Sequence, residues 1–197
     1  KLAKCVREYK LPTILTLIFI IGEVVIEVLI PYITADMVNN IKMGVDINEI
    51  IKTGLLLIGM AIASLCCGGI AGYTCAKAAA GFAKNLREKL FNHIQTFSFA
   101  NIDKFSTAGL VTRMTTDITN IQMAYQMSLR MFTRAPASLI CAMAMAFYIN
   151  PRIASIYLIA VIILAIILVF IMTRATKYFQ QAFPKYDEMN AAVQENV

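Results

Sequence analysis

The chain has 197 residues, of which 59% are hydrophobic and 15% charged, with a formal net charge of +6 and a mean hydropathy of +0.68. A soluble domain carries about 25% charged residues, and so few charges cannot cover so much apolar surface. Intrinsic disorder is excluded on the same ground, so composition alone predicts an integral membrane protein.

The first predicted element is a span over Leu11–Ile33, preceded by the basic stretch Lys1–Lys10. It is too long for a secretory leader, carries two glutamates and lacks a small-residue cleavage site. Glu23 and Glu27 stand one helical turn apart and share a face. A carboxylate there costs about 2.5–3.5 kcal/mol on insertion scales and faces a cavity or a partner. Two readings follow: an acidic patch lining a pathway for cationic compounds, or structural carboxylates that are protonated or paired with a polar group on a neighbouring helix. Pro31 marks a kink or a span end.

The second span covers Ile51–Ala76 and contains Gly68 and Gly72 in GxxxG spacing, a weak signal for close helix packing. Cys66, Cys67, Cys75 and Cys141 sit in apolar runs and read as small buried filler. Cys5 lies among basic residues. No CxxC pair is present and the single histidine, His93, is far from them in sequence, so no metal site is expected.

Residues 77–126 form a long polar-faced connection. Ala83, Leu86, Leu90, Ile94 and Phe97 recur at helical spacing, as do Leu110, Met114, Ile118, Ile121, Tyr125 and Leu129. Two such stripes joined by a turn near Ala100–Thr107 predict an antiparallel helical hairpin. Arms of about 20–25 residues would project roughly 30–37 Å, suited to a lever or a static stalk. No second packing layer is available to make this stretch a catalytic domain.

The third span is Met131–Ile149 and the fourth Ile153–Thr173, separated by the turn Asn150-Pro151-Arg152. Arg130 and Arg134 enter the third span one turn apart. They read as snorkelling cations, as ligands for an anionic lipid headgroup or as the lining of an inward-open mouth. Pro136 is a second kink candidate, and Met127, Met131, Met143 and Met145 are flexible filler or an adaptable wall.

Cationic residues orient the set. With the amino end inside, thirteen of the 18 Lys and Arg residues fall in cytoplasmic segments and three, Lys42, Lys52 and Arg152, fall outside. A multi-pass protein of the plasma membrane with a cytoplasmic amino end is expected. Nucleic-acid binding is not, because the basic residues form no patch interleaved with aromatics.

The stretch Phe97–Ile121, FSFANIDKFSTAGLVTRMTTDITNI, resembles the first intracellular loop of ATP-binding cassette (ABC) exporter transmembrane domains. Asp103, Phe105, Ser106, Thr107, Leu110, Thr112, Arg113 and Asp117 match that pattern. Ala108 and Gly109 replace the usual Gly and Glu, as in a bacterial heterodimeric multidrug-type subgroup, which Arg134-Ala135-Pro136 also resembles. YDEMNAAVQENV at the carboxyl end is similar to the region before the second coupling helix.

The resemblance implies an all-α polytopic bundle, residues 1–197 supplying four of six spans in a domain followed by an ATP-binding domain. It also implies that Ala100, Asn101, Ile102, Asp103, Lys104 and Phe105 form a coupling helix seated in the ATP-binding domain, with Arg113 and Asp117 supporting the loop. The implied activity is ATP-driven export of amphipathic or hydrophobic compounds by alternating access. Its implied partners are membrane lipid, a second, different exporter half, and a small-molecule, peptide or lipid substrate. Gly54 and Gly59 have Walker A separation, but Met60-Ala61 follows instead of Lys and Ser/Thr. ATP and Mg are therefore expected in a part outside this sequence. A membrane scaffold docking a soluble partner through the hairpin is the alternative. A secondary transporter fits less well, because repeated halves with broken helices are not apparent.

Overall fold

The computed structural model describes the backbone of residues 2–97 and 107–195, and the side chains of 5–97, 109–176 and 178. Among these residues every regular element is helical. A short 3-10 segment, Leu2–Tyr9, precedes α1 (Lys10–Lys42) and α2 (Ile47–Gln95). Then come α3 (Thr107–Thr112), a π-helical turn (Arg113–Asp117), α4 (Ile118–Ile149) and α5 (Pro151–Glu195). Among the described residues four helical stretches are long and apolar enough to cross a membrane: Cys5–Lys42, Ile47–Gln95, Gly109–Ile149 and Pro151–Thr176.

Each stretch outruns the span expected from hydropathy, because a backbone hydrogen-bond ladder need not stop where apolar side chains do. The first passes through Pro31 without ending and continues beyond Ile33 to Lys42. Its end is set by Gly44, whose φ of +73° suits glycine. The amide of Gly44 donates to the Ile41 oxygen (3.2 Å) and that of Val45 to the Asn40 oxygen (3.2 Å). This is the paired closure of a helix ended by a left-handed residue. At the start of α5, the Asn150 Oδ1 accepts from the amides of Arg152 (3.1 Å) and Ile153 (3.3 Å). Pro151 takes the first helical position, where its missing N–H costs nothing.

The chain divides into two compact units, Lys1–Ala142 and Met143–Val197. In the first, α2 runs unbroken for 49 residues, about 73 Å, joining the second apolar stretch to the first hairpin arm. Ala83 is buried and Leu86, Leu90 and Ile94 are half-buried, whereas Lys84, Arg87, Glu88, Lys89 and Asn92 are exposed. The opposing arm turns Ile118 inward and leaves Ile121 at the edge of the stripe, exposed.

Contacts between the arms run antiparallel. The Cys75 thiol donates to the Gln126 oxygen (3.6 Å), Phe82 stacks on Tyr125 (centroids 4.6 Å apart), and Arg87 Nη2 donates to Thr119 Oγ1 (3.4 Å). Cys75 and Cys5 are buried and Cys67 and Cys141 intermediate, but Cys66 is exposed, so it is not the filler its apolar neighbourhood suggested. In the second unit, Ala154 is buried and the side chains of Ile156–Ala160 are exposed.

Candidate functional site

Glu23 lies 13 residues into α1, about 20 Å along a helix of about 50 Å. Its neighbours Ile20 and Val24 pack with Ala71 of α2, and Phe19, Ala137 and Cys141 close around them. One face of α1 thus meets both α2 and α4. The three helices are also pinned by side-chain hydrogen bonds. Thr16 Oγ1 donates to Thr74 Oγ1 (2.9 Å), which donates in turn to the Ile70 oxygen (2.9 Å). The hydroxyls of Thr13 and Tyr125 lie 3.3 Å apart.

Between these contacts sits an ionic triad. Arg134 Nη1 donates to Glu23 Oε1 at 2.9 Å, and Nη2 donates to both Glu27 oxygens, at 2.7 and 2.9 Å. The chain separations are 112 residues for Thr13–Tyr125 and 111 for Glu23–Arg134, so α1 and α4 run parallel in one register. Arg134 is therefore level with Glu23, and its guanidinium turns to the carboxylates of α1 instead of reaching back along its own helix. Arg130, one turn earlier, is exposed and makes no ion pair among the described residues.

The two carboxylates are not equivalent. Glu23 has 12% of its side-chain surface exposed and Glu27 has 44%. Gly68 explains the difference, because a Cβ added there would stand 3.0 Å from Glu23 Oε1 and 3.2 Å from its Cδ. α2 thus closes over Glu23 through the space left by a missing side chain. The other glycine of the pair, Gly72, has nothing within 4 Å of such an atom, so only half of the GxxxG makes a close contact. One guanidinium is shared between both glutamates, so the face is a partnered site and not the bare acidic patch that the glutamates alone suggest.

Sequence spacing brought Glu23 and Glu27 together and singled out Arg134 and Gly68 separately, but it did not show that these four meet, and it gave no sign of the Thr16–Thr74 pair. Arg113 and Asp117 stand at the two ends of the π-helical turn, where the second arm passes into α4. Residues Ala100, Asn101, Ile102, Asp103, Lys104 and Phe105 lie outside the described residues. Among the described residues no group of three or more His, Cys, Asp or Glu is placed to hold a metal.

The family model for the ABC transporter transmembrane region matches residues 13–197. The chain belongs to that family. Its all-helical fold and four apolar helices fit an ABC transmembrane domain. One relative is "Uncharacterized ABC transporter ATP-binding protein YfiB" of Bacillus subtilis, 26% identical over 97% of this chain and 33% of that protein. Another is "Uncharacterized ABC transporter ATP-binding protein Rv1273c" of Mycobacterium tuberculosis, 24% identical over 98% of this chain and 33% of that protein. A third is "ATP-dependent lipid A-core flippase 1" of Colwellia psychrerythraea, 23% identical over 99% of this chain and 32% of that protein. The chain spans about a third of the length of these relatives. In this ABC transmembrane region the triad joins α1 to α4 within the apolar stretches of both, where an ionisable group needs its partner close by.

Proposed function

We propose that this chain is the membrane part of one half of an ATP-driven exporter in the plasma membrane. The observation that carries this reading is the continuity of α2. One unbroken helix of 49 residues links a membrane-crossing stretch to an arm packed against the opposing arm, so displacement at the far end reaches the span. The amino end and the hairpin are cytoplasmic, as the cationic residues favour. Residues 100–105, at the hairpin turn, seat in an ATP-binding domain, with Phe105 as an apolar anchor and Asp103 and Lys104 as its charged rim. ATP and Mg are bound by that domain. Closure of two such domains drives alternating access in a pair of unlike halves.

The substrates are amphipathic or hydrophobic compounds. The name of the Colwellia relative, a lipid A-core flippase, adds lipid-like amphiphiles to the classes worth testing. Glu27, the more exposed carboxylate, suits compounds that carry a cation. Arg130, exposed on α4, borders the same route.

The test uses the complete protein and its partner half in proteoliposomes. Changing Asp103 and Phe105 together to Ala should abolish ATP-dependent transport and the substrate-stimulated part of ATP hydrolysis. Transport and stimulation both at wild-type level would overturn the reading. A complex that retains a soluble partner through the hairpin yet moves no compound in response to ATP would favour a docking scaffold.

A further inference from the structure

The segment Leu2–Tyr9 does not simply prolong α1. Its backbone breaks at Arg7, where φ is 32° and ψ is −108°, values a non-glycine residue holds only when its surroundings fix them. Two contacts with α2 do so, one on each side. Asn85 Nδ2 donates to the Cys5 oxygen at 2.8 Å, and the Tyr9 ring lies across Gly81, where any Cβ would collide with it. Held at both points, the segment borders a half-open cavity of about 400 Å³ against α2. Its lining is Cys5, Arg7, Asn85, Glu88, Lys89 and Asn92.

The chemistry of that lining is specific. Cys5 is buried, while Arg7, Glu88, Lys89 and Asn92 are exposed. Neither Arg7, Lys89 nor Glu88 is engaged in an ion pair among the described residues. Two free cations and one carboxylate give a net charge of +1, which matches a monoanion. The carboxylate and the Asn92 amide oxygen add acceptors for hydroxyl groups. A phosphodiester with hydroxyls beside it satisfies all of these groups together.

Its location identifies the source. Cys5, Val6 and Tyr9 turn inward while Arg7, Glu8 and Lys10 are exposed, so the segment is amphipathic. The first ten residues hold Lys1, Lys4, Arg7 and Lys10 against the single acid Glu8. Lys10 opens α1, and the lining residues from Asn85 to Asn92 follow Gly81, which lies level with Tyr9, by four to eleven positions. The cavity therefore stands about 6–16 Å beyond the start of α1, where long Arg and Lys side chains reach a lipid headgroup. Basic amphipathic segments there are drawn to anionic headgroups.

We infer that this cavity binds the headgroup of an anionic lipid of the glycerol-phosphate type. Arg7 and Lys89 take the phosphodiester, and Glu88 and Asn92 take the headgroup hydroxyls. The site is separate from the Glu23–Arg134–Glu27 triad and does not depend on what the protein transports.

The complete protein with its partner half, purified in a mild detergent, is titrated with phosphatidylglycerol, phosphatidylcholine and soluble glycerol 3-phosphate. Retention is read by native mass spectrometry and by the thermal midpoint. Phosphatidylglycerol should bind at least tenfold tighter than phosphatidylcholine. The double variant Arg7→Gln, Lys89→Gln should lose that preference, whereas Lys84→Gln, on the same arm outside the cavity, should keep it. Equal binding of the two lipids by the wild type, or an unchanged preference in the double variant, overturns the site. Glycerol 3-phosphate binding as tightly as the lipid would overturn the membrane source. If the double variant fails to fold, Lys89→Glu alone decides, because reversing that charge should abolish the preference.

Discussion

The first and fourth membrane-crossing helices invert a simple expectation about hydrophobicity and burial. The stretch Pro151–Thr176 has a mean hydropathy of 3.2 in its most apolar window, and none of that window is buried. Cys5–Lys42 reaches only 2.5 and carries two glutamates, yet 22% of its window is buried. In water the greasier helix would be the core. In a bilayer the tails are as apolar as leucine, so hydropathy measures fitness for lipid and not affinity for other helices. Helices are instead gathered by small residues, hydroxyls and charges, and α1 has the first of these in its α2 partner and the rest in itself.

Breaking the triad should sharpen this contrast most. Arg134→Met leaves two carboxylates without their cation at membrane depth and should cost about 3 kcal/mol in reversible unfolding from detergent. Adding Glu23→Gln and Glu27→Gln to it should recover most of the loss, since the stranded charge is what destabilises. Comparable in size is Phe82→Ala, which removes a ring with 4% of its surface exposed and its stack on Tyr125. A loss of about 3 kcal/mol is expected, accompanied by faster proteolysis of the hairpin arms.

Gly68→Ala comes third. Its methyl would sit 3.0 Å from Glu23 Oε1, so it should destabilise by about 1–2 kcal/mol, while Gly72→Ala should be near neutral. Equal effects at the two glycines would break the account of how α2 closes over Glu23. Smallest is Thr16→Val, which deletes the donor to Thr74 and should cost about 0.6–1 kcal/mol. Thermal midpoints of the purified variants rank the whole series.

Much of the local pattern was legible in the sequence, and the physical reason is periodicity. The stripe Ala83, Leu86, Leu90 and Ile94 faces inward because helical spacing puts those residues on one side, whatever the partner. The span cores were legible because about 20 apolar residues leave few other choices. Helix ends were not, since Asp36–Lys42 continue α1 on backbone hydrogen bonding alone until Gly44 permits the turn.

The ionic triad was half-legible. Spacing places Glu23 and Glu27 on one face, but their cation comes from 107 to 111 residues away, and no local rule reaches that far. Gly68 was hidden for a related reason. A GxxxG predicts a close contact without saying which glycine makes it or that a carboxylate fills the space. The π-helical turn at Arg113–Asp117 interrupts the second arm without any proline or glycine inside it to announce it.

One measurement tests most directly the claim that charge gathers these helices. A double-mutant cycle between Arg134 and Glu23, using Met and Gln, isolates their coupling energy in the complete protein. The short hydrogen bond and the shielding of Glu23 by α2 predict a coupling of about 1.5 kcal/mol or more. A coupling within about 0.3 kcal/mol of zero would mean that packing alone holds α1 to α4, contradicting the account.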